Sequence, residues 1–150
     1  ETAQEMADAV ASVATDVAIM AAAVADFRPA HVAGGKLART DGPPDLTLEP
    51  NPDILATVAE RNDRPFLVGF AAESGSLDRA IDKAQRKGVD LLVANDVTRP
   101  GSGFATDTNE VTIIGSDGTS EPWPIMEKTE VASRLWDLIE TRLPARDQRS

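Results

Sequence analysis

The chain contains no cysteine. That excludes a disulfide framework and any cysteine-ligated zinc or iron–sulfur centre, and it points to a cytoplasmic protein. Aromatic residues make up only 4% of the 150 positions, so the core has to be built from Ala, Val, Leu and Ile. No apolar run approaches the roughly 18 residues that signal a membrane span. The longest, Val17 to Ala25, is much shorter and follows a helical pattern instead of a basic leader, so no secretory signal is visible. Basic side chains are outnumbered, 15 against 25 acidic, for a formal net charge of −10. A surface of that sign is a poor partner for nucleic acid, which is bound through clustered Lys and Arg. It also makes the few lysines informative, because a polyanion must be met by a small local cluster against an unfavourable global field. The single histidine, His31, has no serine, cysteine or second histidine in a recognisable arrangement. Neither a catalytic triad nor a histidine-based metal site is indicated.

What is present is the makeup of a soluble globular domain, 41% hydrophobic and 27% charged, long enough to bury a real core. Thr2 to Ala14 spaces Ala3, Met6, Ala7, Val10 and Val13 by three and four, an amphipathic helix with Thr2 as N-cap and Glu5 as its capping-box partner. Val17 to Val24 reads as a buried strand, Asp26 to Pro44 as a long loop, and Leu46 to Glu49 as a short alternating strand. Asn51 is placed to cap a helix running to about Arg61, with Pro52 at its first position. Pro65 to Phe70 is the next strand, Leu77 to Lys87 a helix closed by Gly88, and Val89 to Ala94 another buried strand. The alternation predicts a Rossmann-like α/β fold of parallel strands, right-handed crossovers and flanking helices. After a loop from Asn95 to Phe104, Glu110 to Ile114 and Glu121 to Ile125 flank Ser116-Asp-Gly, the signal of a short hairpin extension. A last helix spans Lys128 to Arg142. Residues 1–143 then form one domain and 144–150 a flexible tail. The chain opens straight into a helix, as if the fold's first strand and glycine-rich turn were missing.

Ligands of open parallel sheets bind beyond the carboxyl ends of the strands, where several segments fall. Ala21 to Ala25 are small enough to let a ligand approach the backbone, and Asp26 follows as an acceptor for hydroxyls or a metal. A small-residue strand with a turn aspartate fits the same letters. Asn51-Pro-Asp-Ile-Leu opens a helix whose N–H groups suit phosphate, although Asn-Pro-Asp is also an ordinary cap. Phe70, in Val68-Gly-Phe-Ala-Ala-Glu, packs on a base or ribose, or simply in the core. Lys83 and Lys87 share one helical face and can meet a triphosphate together, or form a solvated pair. Lys36, after Gly34-Gly35, is either a mobile lysine closing over phosphate or a surface residue.

Their order and spacing resemble the bacterial phosphopantothenoylcysteine synthetases. The resemblance is carried by Ala22-Ala-Val-Ala-Asp-Phe-Arg-Pro, a lysine ten residues after Asp26, Asn51-Pro-Asp-Ile-Leu and Val68-Gly-Phe-Ala-Ala-Glu. It continues through Lys83-x-x-x-Lys-x-x-Asp-Leu-Leu-Val-Ala-Asn-Asp and Gly103-Phe-x-x-Asp-x-Asn. It covers Ala21 to Ile114 and, more loosely, the last helix. The family implies a CTP- and Mg²⁺-dependent ligase of coenzyme A synthesis that joins cysteine to 4′-phosphopantothenate. In bacteria it is usually the C-terminal half of a bifunctional protein, and the FMN-dependent decarboxylase half is not expected here. By resemblance Asp26 contacts the nucleotide and Lys36 is the mobile-loop lysine of acyl-cytidylate formation. Pro52, Asp53, Ile54 and Leu55 form the CTP-binding segment, Phe70 is the aromatic of the site, and Lys83 and Lys87 are its helical lysines. Ala21 and Ala22 lie where backbone meets nucleotide. Relatives often carry Lys-Ile-Lys-Lys where this chain has Lys36-Leu-Ala-Arg39, which lowers the loop's positive charge. The family's glycine-rich start, with an asparagine of the second half-reaction, is not found in this chain.

The family chemistry begins with attack of the phosphopantothenate carboxylate on the α-phosphate of CTP, releasing pyrophosphate. The cysteine amine then attacks the acyl carbon and expels CMP. Charge accumulates on phosphorus and on the leaving group, so fixed cations and Mg²⁺ carry the catalysis. The competing expectation is a CTP-binding and dimerisation fragment without chemistry of its own. A NAD-binding Rossmann fragment is a weaker alternative, because no Gly-x-Gly-x-x-Gly occurs. Family members are dimers, which would place contacts at the hairpin and at the strand near Leu46, with larger assemblies in bifunctional proteins.

Overall fold

The structure is a computed structural model that describes residues 2–32, 34–39, 42–73, 77–96 and 106–143. Its elements run α1 (Ala3–Ala11), β1 (Val17–Met20), β2 (Phe27–Pro29), β3 (Leu48–Pro50), α2 (Ile54–Ala59), β4 (Phe66–Glu73), α3 (Leu77–Lys87), β5 (Leu91–Asp96), β6 (Thr108–Gly115), β7 (Ser120–Glu127) and α4 (Lys128–Arg142). Five strands form one sheet in the order β1-β4-β5-β6-β7. β1, β4 and β5 are parallel, while β6 and β7 run antiparallel. The hairpin expected as an extension therefore continues the main sheet. It turns at Gly118, whose φ of 82° suits a residue without a side chain.

Side-chain alternation divides the core between the two faces of the sheet. Leu67, Ala71, Leu92, Ala94 and Ile114 point to one face, where Ala80 and Ala84 of α3 and Val58 of α2 cover them. Alanines at that contact let α3 lie close to the strands. Val68, Leu91, Val93, Val111, Ile113 and Trp123 point to the other face, under Val131, Leu135 and Ile139 of α4. Each fully buried aliphatic side chain contributes roughly 1.5–3 kcal/mol. No helix among the described residues is long and apolar enough to cross a membrane.

Local signals set several boundaries. Thr2 and Glu5 form the expected reciprocal capping box, with Thr2 N–H donating to Glu5 Oε2 at 2.7 Å and Glu5 N–H to Thr2 Oγ1 at 3.2 Å. Gly88 ends α3 with φ of 64°. The outer strand β7 carries Pro122 and Pro124, tolerable because an edge strand has spare donors. Two of its residues, Pro124 and Ile125, span what Glu110 alone spans on β6, so the register shifts there.

Other expectations need correction. The strand predicted over Val17 to Val24 stops at Met20, and none of it is fully buried, because it is the sheet's edge. The predicted loop from Asp26 to Pro44 contains β2. The strand near Leu46 lies at Leu48–Pro50 and pairs antiparallel with β2 in a separate ribbon, outside the parallel set. Asn51 does not cap α2. Asp53 does, accepting the Ala56 N–H at 3.2 Å, and the helix ends at Ala59. The predicted tail at 144–150 and positions 97–105 of the predicted loop lie outside the described residues.

Candidate functional site

The two ends of the sheet differ. At the amino ends of β4 and β5 the Asp90 carboxylate accepts the Leu67 N–H at 2.8 Å and pairs with Arg64 at 2.6 Å, closing that edge. At the carboxyl ends a cleft of about 950 Å³ opens, within the range of small-molecule sites. Its floor is Met20 to Ala25 leaving β1, Phe70 to Ala72 of β4, Asn95 of β5 and Asn109 of β6. β6 is antiparallel, so its first residues reach the same edge at which β5 ends.

Asn51 fixes one rim. Its Nδ2 donates to the Ala25 carbonyl at 2.8 Å, its backbone N–H to the Asp26 carbonyl at 2.8 Å, and its Oδ1 accepts from Arg28 at 3.2 Å. These bonds occupy the side chain that was expected to cap α2. They tie the loop after β1 to the approach of α2, leaving Ala21, Ala22 and Asp26 exposed to the cleft. Asp53 binds the Lys87 ammonium and so joins the start of α2 to the end of α3. Burial pushes the Asp53 carboxyl up, but the Lys87 hydrogen bond, the Ala56 N–H and the positive charges of Lys87 and Arg86 outweigh it and hold the group below 3.8. The wall beside this pair presents half-buried Lys83 and Lys87, one turn apart on α3. Opposite them stand Lys128, Val131, Ala132 and Leu135 of α4. The arrangement can hold a flat apolar group against Phe70 and a polyanion against the lysines.

Over residues 1–143 the chain matches the family described as the DNA/pantothenate metabolism flavoprotein C-terminal domain. The chain belongs to that family. It is 43% identical to the coenzyme A biosynthesis bifunctional protein CoaBC of Bacillus subtilis over 138 residues, covering 90% of this chain and 34% of that protein. With CoaBC of Mycobacterium bovis it shares 44% identity over 95% of its length and 37% of the relative. It thus spans about a third of the length of these curated relatives. A crystal structure of a CoaBC C-terminal domain superimposes with a TM-score of 0.74 at 39% identity, covering 95% of this chain and 65% of that one. Its relatives are proteins of coenzyme A biosynthesis, and the fold is that of the CoaBC C-terminal domain.

Within this family fold, Ala21, Ala22, Asp26, Pro52, Asp53, Ile54, Leu55, Phe70, Lys83 and Lys87 line the one cleft. Lys36 does not; it is exposed beside Gly34 and Gly35, which have open space around them. His31 is exposed as well. Among the described residues no group of three or more His, Cys, Asp and Glu could hold a metal by itself. Sequence reasoning gave no role to Asn95, Asn109 or Lys128. Asn95 closes the apolar run of β5, which is a readable signal once β5 is taken as a parallel strand. Asn109 ends the motif Gly103-Phe-x-x-Asp-x-Asn, but its place in the cleft, like that of Lys128, follows only once β6 and β7 are known to extend the main sheet.

Proposed function

We propose that the cleft is the CTP site of a phosphopantothenate–cysteine ligase. What supports the reading is the convergence of Asp26, Asp53, Phe70, Lys83 and Lys87 from four separate segments onto one strand-end cleft. In this reading residues 1–143 are the CTP-binding synthetase domain. Phe70 packs on the nucleoside while the exposed backbone of Ala21 and Ala22 contacts it, and Pro52 to Leu55 form the rim. Lys83 and Lys87 hold the triphosphate, with the phosphates replacing Asp53 as the partner of Lys87.

The phosphopantothenate carboxylate attacks the α-phosphorus, the bond to the β-phosphate oxygen breaks, and pyrophosphate leaves. The resulting acyl-cytidylate is then attacked by the cysteine amine, which forms the amide and releases CMP. Lys36 is the residue assigned to the charge that develops at phosphorus, reaching the cleft by movement of its loop. Mg²⁺ fits a particular role here. Two exposed carboxylates, Asp26 and Asp53, line the cleft, and Mg²⁺ is commonly held by one or two carboxylates plus substrate phosphates. Bound there it would neutralise phosphate charge.

A second reading has its own observation. Because Lys36 lies off the cleft, a CTP-binding and dimerising module without turnover fits too. Pyrophosphate release from CTP and 4′-phosphopantothenate separates the two. The ligase reading expects release that depends on both substrates, and CMP only when cysteine is added. CTP binding without release leaves the module, and failure to bind CTP sinks both. Exposed Phe27, Leu46 and Leu48 on and beside the β2–β3 ribbon supply a surface for a homodimer.

A further inference from the structure

We infer that Lys128 is a further phosphate-holding residue of this cleft, acting from the opposite face of the sheet to Lys83 and Lys87. The inference rests on the nucleotide reading above and deepens it. The chain has four lysines beside eleven arginines, and three of the four line the cleft, while no arginine among the described residues does. Against the two carboxylates of the lining, Asp26 and Asp53, these three lysines leave the cleft net positive in a chain of net charge −10.

The fold explains how Lys128 gets there. β7 runs antiparallel to β6, with Glu127 opposite Thr108, so β7 ends at the edge where β6 begins. α4 starts at the next residue, and the Lys128 N–H donates to the Asp107 carbonyl at 2.9 Å, pinning the helix start to that edge. Lys128, Val131, Ala132 and Leu135 are spaced by three, four and seven, the pattern of one helical stripe, and all four line the cleft. Lys128 is the only charged member of the stripe. Glu130, two positions on, lies about 200° around the helix from it. α3 covers one face of the sheet and α4 the other, so Lys83 and Lys87 approach from one layer and Lys128 from the other. Asn95 and Asn109 lie between them as neutral hydrogen-bonding groups.

The ligand chemistry is a phosphate group, whose source is either the triphosphate of CTP or the phosphate of 4′-phosphopantothenate. Isothermal titration with CTP, CMP, 4′-phosphopantothenate and pantothenate distinguishes them, using the wild type, Lys128→Gln and Lys128→Arg. Lys128→Gln should bind one phosphate ligand about 10-fold or more weaker, the usual scale for losing a charged hydrogen bond. A loss for CTP with CMP spared assigns the triphosphate. A loss for 4′-phosphopantothenate with pantothenate spared assigns the substrate phosphate. Lys128→Arg should recover most of the affinity, with thermal midpoints unchanged across the three proteins. Unchanged affinities in Lys128→Gln, or an equal loss in Lys128→Arg, overturn the inference while leaving the nucleotide reading in place. A wild type that binds no CTP overturns both.

Discussion

β4 and β5 have a strand on each side and helices over both faces, whereas the β2–β3 ribbon has neither. Leu67, Val68, Leu91 and Val93 are essentially inaccessible, while no residue of β1, β2 or β3 is buried. Of the nine large hydrophobic residues left exposed among the described positions, five fall between Phe27 and Leu48. The central strands spend their apolar side chains on folding. The ribbon holds apolar side chains outward, and the proposed chemistry draws on the same stretch, through Asp26 at its start and Lys36 between its strands. Stability and activity should therefore respond to different halves of the molecule.

Lys36→Gln tests the contrast most sharply. It should lower pyrophosphate release by roughly 10²–10³-fold, the scale for removing one charge-stabilising group from a reacting centre. Thermal stability should stay within about 0.5 kcal/mol, as for ordinary surface positions. CTP affinity should be largely kept, because the proposed site holds the ground-state nucleotide through the lysines of α3. Normal turnover in this variant would remove Lys36 from the mechanism and would place the chemistry in the cleft walls alone.

The reverse pattern is expected at Leu67→Ala. Leu67 is 0% exposed beneath α3, and truncation there should cost about 2–5 kcal/mol in chemical denaturation. Leu48→Ala, at 52% exposure, should change the stability of an isolated protomer by no more than about 0.5 kcal/mol. If the ribbon is covered by a second copy, Leu48→Ala will instead show a concentration-dependent loss, read by repeating the melt over a dilution series. A large loss independent of concentration would mean that the ribbon belongs to the folding core, and the comparison would fail.

The same division decides what could be read from the letters. The capping box at Thr2 and Glu5, the Gly88 stop and the limits of α4 are legible because each depends on residues three or four apart. The β2–β3 pairing is not, because strands of three residues carry little alternation and meet across a long intervening segment. Asn51 misleads for a related reason. As a letter it reads as a helix cap, but its side chain bonds to Ala25 and Arg28, more than twenty positions back. Asn109 and Lys128 reach the cleft only because β6 pairs with β5, a pairing that the hairpin signal does not announce. The residues proposed for the nucleotide were picked out in another way, through a resemblance in order and spacing that composition alone does not supply, and all of them but Lys36 line the cleft.

The smallest effect expected concerns the Asp53–Lys87 pair, which distinguishes the margin from the centre by its dependence on pH. The folded state holds the Asp53 carboxyl below its ordinary 3.8, so folding favours the ionised form. Its contribution is therefore fully present above about pH 3.8 and is lost as pH falls through the lower folded value. Asp53→Asn is the informative variant, because asparagine caps a helix about as well as aspartate and only the charge is removed. The Asp53 side chain is 47% exposed, so solvent screening limits the difference to about 0.3–0.5 kcal/mol near neutral pH. Thermal melts of the two proteins should converge as the pH is taken below 3.8. No such convergence is expected for Leu67→Ala, whose loss comes from an apolar cavity that does not titrate. A gap between Asp53→Asn and wild type that persists unchanged in acid would show that the pair is not its source. The join between α2 and α3 would then rest on packing, as it does in the centre of the sheet.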